Sequence, residues 1–195
     1  MLDSGVKFTA LGTDGIDCGG DLELKYHFTF KVKYKDTFEK YTVDFLKYKN
    51  NIFVGKYYPT RYSLDKDRFA FVFDDSRGVI YTAKVLRTVQ NIFLHMHKKH
   101  PNASFAFIGE PKKVKIAPKK SKGYIISREE GQERTKRFEL YRKICLRDIG
   151  IESFTLLENT KKSAIILVNN EVEDISNYKA NIIDMMERNY NILEL

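Results

Sequence analysis

The chain has 195 residues, a formal net charge of +8 and a hydrophobic fraction of 43%. This length suits one substantial domain, and apolar residues spread along the whole chain exclude general disorder. No apolar run approaches the ~18 residues of a membrane span, and residues 1–5 lack the basic and apolar regions of a secretory signal. We therefore expect a single domain, residues 1–195, in the cytoplasm and without a membrane partner.

The positive charge is concentrated in one segment. Residues 111–147 contain 13 Lys and Arg against 4 Glu, so the rest of the chain has a net charge of −1. Such a segment attracts phosphates, acidic proteins or anionic surfaces over about one Debye length, ~8 Å at physiological salt. The alternative is a solvated loop that only keeps the protein soluble.

The clearest strand pattern covers residues 22–34, where apolar and polar residues alternate without a break. Such alternation predicts a long strand with one buried and one solvated face, as in antiparallel sheets. A short strand is predicted before it, at residues 6–11. The glycines and aspartates of residues 12–20 match neither a phosphate-binding nor a calcium-binding spacing, so this segment is predicted to be a connecting loop.

Three further segments repeat the strand pattern before the first helix. Residues 41–45 alternate, residues 52–58 follow the turn at Lys49, and residues 68–73 place Phe69, Phe71 and Phe73 in phase. A meander of antiparallel strands is predicted.

The next segment has the 3.6-residue period of an amphipathic helix that ends at His100 and Pro101. One side carries Tyr81, Val85, Leu86, Val89, Ile92, Phe93 and Met96. Residues 105–108 are apolar on both faces and predict a central strand. Glu110 follows that strand, at the edge where ligands gather in open α/β sheets, although a solvated turn residue is the simpler interpretation.

Residues 111–122 predict an exposed loop or hairpin that forms an insertion in the domain. Its lysines are Lys112, Lys113, Lys115, Lys119, Lys120 and Lys122. Ser127 and Glu130 have the spacing of a capping box, which predicts a second helix from there to about Leu146.

Two strands are predicted after this helix, at residues 154–157 and 164–168. The stripe of Ile175, Tyr178, Ile182, Met186 and Leu193 predicts a terminal helix.

The second helix carries arginines on its apolar arc. Arg137 falls among Phe138, Tyr141 and Ile144 at ~100° per residue, and Arg134 lies on the same arc. A buried guanidinium needs a partner, because leaving it unpaired costs several kcal/mol.

Arg137 is therefore expected either to pair with a carboxylate such as Asp75 or Glu110, or to face a bound anion. Arg134, Arg137 and Arg142, together with the lysines of residues 111–122, could bind phosphate or nucleic acid. In the structural alternative Tyr141 packs in the core and Arg142 is solvated.

The sequence contains no strong pattern of a metal site or of a catalytic nucleophile. His95 and His97 diverge by ~200° on a helix, so with His100 they predict a solvated helix end rather than a metal site. Cys145 is predicted to be buried and inert, and Cys18 to be a free thiol in the glycine-rich segment.

The predicted order of elements resembles that of the N-acetyltransferase superfamily. It consists of several antiparallel strands, a helix, a central strand, a helix that contains Leu140 and Tyr141, and a final pair of strands. More narrowly, residues 84–89, 105–107 and 137–142 are similar to small bacterial and phage-borne proteins that carry an Arg-x-x-Leu-Tyr-Arg helix. The superfamily resemblance implies that Tyr141 would act as general acid toward a departing thiolate. It also implies an acyl-CoA loop of the form Arg/Gln-x-x-Gly-x-Gly/Ala, a pattern that residues 77–81 do not match. We therefore expect no acetyl-CoA binding, since that loop would supply the backbone N–H groups for the pyrophosphate.

The sequence thus predicts an α/β (α+β) domain with a mixed, largely antiparallel sheet and three main helices. The expected function is that of a non-catalytic phage or mobile-element accessory protein without a cofactor, which binds an acidic protein or nucleic acid through the basic segment. One alternative is an acyl-CoA-dependent N-acyltransferase. The other is a structural or assembly protein of a phage particle.

Overall fold

The computed structural model describes residues 5–15, 20–65, 68–71, 78–111, 113–116, 125–129, 131–146 and 152–190. Within these residues the chain forms nine β-strands and three α-helices. The strands are β1 Phe8–Gly15, β2 Leu22–Tyr34, β3 Thr37–Tyr48, β4 Ile52–Pro59, β5 Ser104–Ile108, β6 Lys113–Ile116, β7 Ile125–Glu129, β8 Phe154–Asn159 and β9 Ala164–Asn169. The helices are α1 Gly78–Lys99, α2 Lys136–Ile144 and α3 Ile175–Tyr190.

Seven strands form one sheet in the order β1-β2-β3-β4-β5-β9-β8. Neighbours in this sheet are antiparallel except β4 and β5, which are parallel. Parallel neighbours need a crossover connection, and the segment that contains α1 provides it. The predicted mixed, largely antiparallel sheet with three helices is confirmed. The strands β6 and β7 form a separate two-stranded antiparallel ribbon.

The long hairpin of β2 and β3 follows the alternation of its sequence. Phe28, Phe30 and Val32 are buried, whereas Lys31 and Lys33 are exposed. Tyr34 pairs with Thr37, so two residues make the turn. The next turn places Asn50 and Asn51 at φ values of 61° and 57°, a region that asparagine tolerates better than most residues.

The two faces of the sheet have separate apolar cores. On one face, side chains of the sheet pack against α1 and α2, including Val85, Phe93 and Phe138. On the other face, Ile182 and Met186 of α3 pack against the central strands. The apolar side predicted for the first helix and the central position predicted for β5 are both confirmed.

The first strand is longer than predicted. It reaches Gly15, and the register shifts between Ala10 and Gly12, where Gly12 has a φ of 126°. Only glycine adopts such a φ readily, so the first glycines of the predicted loop serve a bulged edge strand instead. Residues 16–19, with Cys18, lie outside the described residues.

The strand predicted at residues 68–73 is wrong. Arg68–Phe71 forms a 3₁₀ helix, and residues 72 and 73 lie outside the described residues. The segment lies near the end of β4, beyond the residues that pair with β5. Phe69 packs edge-on against Tyr58 at a ring-centroid distance of 5.3 Å, so it covers β4 without joining the sheet.

The predicted start of the second helix is also wrong. Residues 125–129 pair with β6 as strand β7, so the basic insertion is a hairpin and Ser127 is no helix cap. The helix begins at Lys136 because Thr135 caps it, accepting a hydrogen bond from the Phe138 N–H at 3.2 Å. The terminal helix ends at Tyr190, and Leu193 of its predicted stripe lies outside the described residues.

No helix in the described ranges is both long enough and apolar enough to cross a membrane.

Candidate functional site

The pairing of the two parallel strands ends halfway along β4. Pairs run from Ile52 with Ser104 to Gly55 with Phe107, whereas β4 continues to Pro59 beside β3. We call the region beyond Gly55 and Phe107 the β4–β5 gap. A Cβ on Gly55 would lie 3.0 Å from the Phe107 ring, so glycine here lets the two strands and their rings approach closely.

The helix α2 is fixed over this gap by its N-cap residue, Thr135, and by Gly109. The Thr135 hydroxyl donates to the Gly109 carbonyl at 2.7 Å, and the Thr135 N–H donates to the Ser163 hydroxyl at 2.9 Å. A Cβ on Gly109 would lie 2.7 Å from the Phe138 nitrogen, closer than real Cβ contacts. The N-terminus of α2 therefore lies directly against the end of β5.

Three polar side chains meet on the α2 side of the gap. Arg137, Tyr141 and Tyr57 are 4%, 7% and 3% exposed. The ring centroids of Tyr57 and Tyr141 are 6.2 Å apart, and those of Phe107 and Tyr141 are 5.6 Å apart. We call Arg137, Tyr141 and Tyr57 the gap cluster.

Burial raises the pKa of both phenols in this cluster. For Tyr141 the guanidinium of Arg137 and the hydroxyl of Tyr57 act in the opposite direction, through charge and hydrogen bonding. For Tyr57 burial also dominates, and its pKa lies well above the ordinary value. The phenol of Tyr141 is thus protonated at neutral pH, and its two neighbours would stabilise the phenolate if it lost the proton.

Lys56 occupies the other face of the gap, since neighbouring strand residues point to opposite faces. Its ammonium lies 4.7 Å from the Phe69 ring centroid and 4.5 Å from that of Tyr190. Burial lowers the pKa of Lys56, and the negative charge of Glu110 opposes this effect. Glu110, half-buried after β5, acts electrostatically on both Lys56 and Tyr141.

The space beside the gap cluster is small. A half-open cavity between α1 and α2 has a volume of about 20 Å³ and is lined by apolar atoms, including those of Phe107, Tyr141 and Cys145. That volume holds about one water-sized molecule.

The predicted binding arginines do not share one surface. Arg134 pairs with Glu139 at 3.0 Å, and Arg142 pairs with Glu158 at 2.8 Å. Arg137 is buried with the two tyrosines, and among the described carboxylates none forms an ion pair with it; Asp75 lies outside the described residues.

The predicted binding lysines belong to the ribbon and its neighbourhood. Lys113 and Lys115 are in β6. Lys112, Lys119, Lys120 and Lys122 lie outside the described residues. The ribbon leaves the sheet just after β5 and lies against the 3₁₀ helix Arg68–Phe71.

A second polar cluster, not predicted from the sequence, lies at the edge of the sheet and contains His27, Asp14, Asp44 and Lys25. His27 Nδ1 lies 2.7 Å from Asp44 Oδ1, and His27 Nε2 lies 2.8 Å from Asp14 Oδ2. Lys25 also contacts the buried Asp44, at 3.3 Å. His27 of β2 thus contacts carboxylates of both neighbouring strands, Asp14 of β1 and Asp44 of β3.

The histidines and Cys145 give no sign of metal or thiol chemistry in the described part of the chain, where no group of ligands could hold a metal ion. His95 is exposed, as expected of a solvated helix end. His97 and His100 are half-buried instead and pack on Phe105 and Phe53, with ring-centroid distances of 6.1 and 4.9 Å. Cys145 is buried as predicted, and burial raises its thiol pKa to about 12, which makes it a poor nucleophile.

No protein-family model matches this chain, and neither a curated protein nor a solved structure matches it.

Proposed function

We propose that this protein binds an acidic partner through its basic segment and does not catalyse a reaction. The observation that carries the proposal is that the middle of this segment folds as a ribbon outside the seven-stranded sheet. Because neither strand of the ribbon pairs with the main sheet, a partner could contact the ribbon on its faces or along its edges. A phage or mobile-element setting for this binding rests on the sequence resemblance alone.

The filled β4–β5 gap supports a non-catalytic role. Three buried side chains occupy the place where the strands stop pairing, and the cavity beside them has a volume of only about 20 Å³.

A pull-down from cytoplasmic extract at low and high salt tests the binding proposal. The ribbon variant replaces Lys112, Lys113, Lys115, Lys119, Lys120 and Lys122 by Gln. The control variant makes the same charge change on exposed residues elsewhere: Lys7, Lys31, Lys33, Lys40, Lys98 and Lys161. Contacts through several point charges weaken steeply with salt, so the parent and the control should retain partners at low salt that the ribbon variant loses.

Retention of the same partners by all three proteins at both salt concentrations would contradict the proposal. The ribbon would then be a solvated connector.

A second candidate function is acyl-CoA-dependent acyl transfer, and one specific observation favours it. The parallel pair β4 and β5 ends beside Tyr141, on the helix that follows β5, as the sequence resemblance implies for a general acid. In this role the Tyr141 hydroxyl would protonate the departing thiolate, and Arg137 and Tyr57 would stabilise the phenolate.

Calorimetry with acetyl-CoA separates the two candidates. The filled gap and the missing glycine pattern predict no saturable heat. A dissociation constant below ~10 μM, equivalent to about −7 kcal/mol, that is lost or weakened in Tyr141→Phe would favour the enzyme.

A further inference from the structure

The amine of Lys56 lies beside aromatic side chains from two other elements. Lys56 is half-buried and directly follows the last residue of β4 that pairs with β5. Its Nζ is 4.5 Å from the ring centroid of Tyr190 in α3 and 4.7 Å from that of Phe69 in the 3₁₀ helix. These contacts hold the amine on the α3 face of the β4–β5 gap, while part of the side chain remains accessible to solvent.

The surroundings of Lys56 favour its neutral form. In the described part of the chain Lys56 has no ion pair, whereas Lys25 and Lys47 of the two preceding strands contact carboxylates at 3.3 and 2.9 Å. Burial is the main cause that lowers the pKa of Lys56; the negative charge of Glu110 opposes it, and the positive charge of Arg68 reinforces it. A lysine that is desolvated or lies near another cation is an activated nucleophile, because a larger fraction of it is the neutral amine.

Arg68 supplies a second positive group beside the same ring. Its guanidinium carbon lies 4.7 Å from the ring centroid of Phe69, which Lys56 also contacts. Arg68 donates to the Ser63 carbonyl at 3.4 Å, and among the described residues its Nε has no hydrogen-bond partner and its guanidinium no ion pair. A ligand with an anionic group would therefore compensate a charge that no described carboxylate contacts.

We propose that Lys56 forms an imine with a small aldehyde that carries an anionic group, and that Arg68 binds this group. The nitrogen of the neutral amine attacks the carbonyl carbon, a C=N bond replaces the C=O bond, and the oxygen leaves as water with the two amine hydrogens. This condensation is reversible and needs no oxidant, reductant or further reactant. The site involves neither the ribbon nor the acidic partner, so it is independent of the function proposed above.

Reductive trapping tests the reactivity of Lys56. Glyoxylate, an aldehyde with a carboxylate, is added near neutral pH together with cyanoborohydride, which reduces an imine to a stable amine, and peptide mass spectrometry measures the labelling of each lysine. The reference is Lys99, which is exposed although its Nζ lies 4.9 Å from the Tyr26 ring centroid. Lys56 should react at least about fivefold faster than Lys99 in the folded protein and at a similar rate in urea. Labelling of Lys56 that is no faster than that of Lys99 in the folded protein would overturn the inference.

A second comparison tests the anionic group of the ligand. Glycolaldehyde is similar in size to glyoxylate and uncharged, so the preference for glyoxylate at Lys56, divided by that at Lys99, measures the contribution of Arg68. We expect a ratio of at least about three that falls to about one in Arg68→Gln. The control Arg87→Gln makes the same change on α1, across the sheet, and should keep the ratio; both variants are first checked for an unchanged melting temperature. An equal preference at the two lysines, or a preference that persists in Arg68→Gln, would overturn the assignment of an anionic aldehyde.

Discussion

The contact between Gly109 and α2 sets the position of the gap cluster. Replacing Gly109 by Ala would place a Cβ 2.5 Å from Thr135 Oγ1 and 2.7 Å from the Phe138 nitrogen. Because one of these atoms is backbone, relief requires the helix to shift. We expect Gly109→Ala to lower the free energy of unfolding by ~2–3 kcal/mol, measured by urea denaturation.

Gly131 provides the matched control. Its added Cβ would meet nothing within 4 Å, so Gly131→Ala should be neutral or stabilise by ~0.4–1 kcal/mol through the unfolded state. Equal effects of the two substitutions would contradict the close packing of α2 on β5.

Arg137 is a buried cation whose described contacts are two phenols. Arg137→Ala removes its packing and its interaction with Tyr141, so we expect a loss of ~2–4 kcal/mol in denaturation experiments. The control Arg188→Ala breaks a surface pair with Asp21 and should cost only ~0.2–1 kcal/mol. An Arg137→Ala protein that unfolds like the parent would show that the side chain is solvated.

Helical phase was enough to predict that Arg137, Tyr141 and Cys145 are buried. It could not supply their neighbours, because Tyr57 and Phe107 come from strands far away in sequence. Thr135 was missed as a cap because Ser127 and Glu130 offered the more familiar spacing in a segment that instead pairs as a ribbon.

At the scale of one element, the C-terminal end of α1 makes stability depend on pH. His97 Nδ1 and His100 Nε2 are buried, and within the described residues they have no hydrogen-bond partner. Burial lowers the pKa of both histidines below the ordinary 6.5. Glu171 partly opposes this for His97, whereas Lys99 and Lys47 reinforce it for His100.

The fold therefore favours the neutral form of both imidazoles. Below pH ~6.5 the unfolded chain binds more protons than the folded chain, so stability is complete above that pH and falls as pH drops toward the lowered pKa values. Urea midpoints between pH 7.5 and 5.5 should fall less steeply in His97→Phe/His100→Phe than in the parent. Parallel curves for the two proteins would contradict the buried, neutral state.

Elements with a long, strict period were predictable, as for β2 and α1. The 3₁₀ helix Arg68–Phe71 was not. Alternating phenylalanines indicate a strand, but the pattern does not show whether the segment pairs with a neighbouring strand or, as Phe69 does on Tyr58, packs a ring against it.

At the scale of the whole molecule, the net positive charge is concentrated in one segment of the chain. Residues 111–147 carry +9 in an otherwise nearly neutral protein, so an anionic partner would be drawn to the ribbon side from about a Debye length away. Arg137 of this segment lies in the gap cluster, whereas Lys113 and Lys115 belong to the ribbon, outside the seven-stranded sheet.

The most direct test of the central claim is a titration of labelled oligothymidine at several salt concentrations, with the parent, the six-lysine ribbon variant and the six-lysine control. For single strands each phosphate contact contributes about −0.7 to the slope of log K against log salt, so six lysines would give about −4. We predict that slope for the parent and the control, and a much shallower slope with weaker binding for the ribbon variant. Equal slopes and affinities for all three proteins would contradict binding through the ribbon.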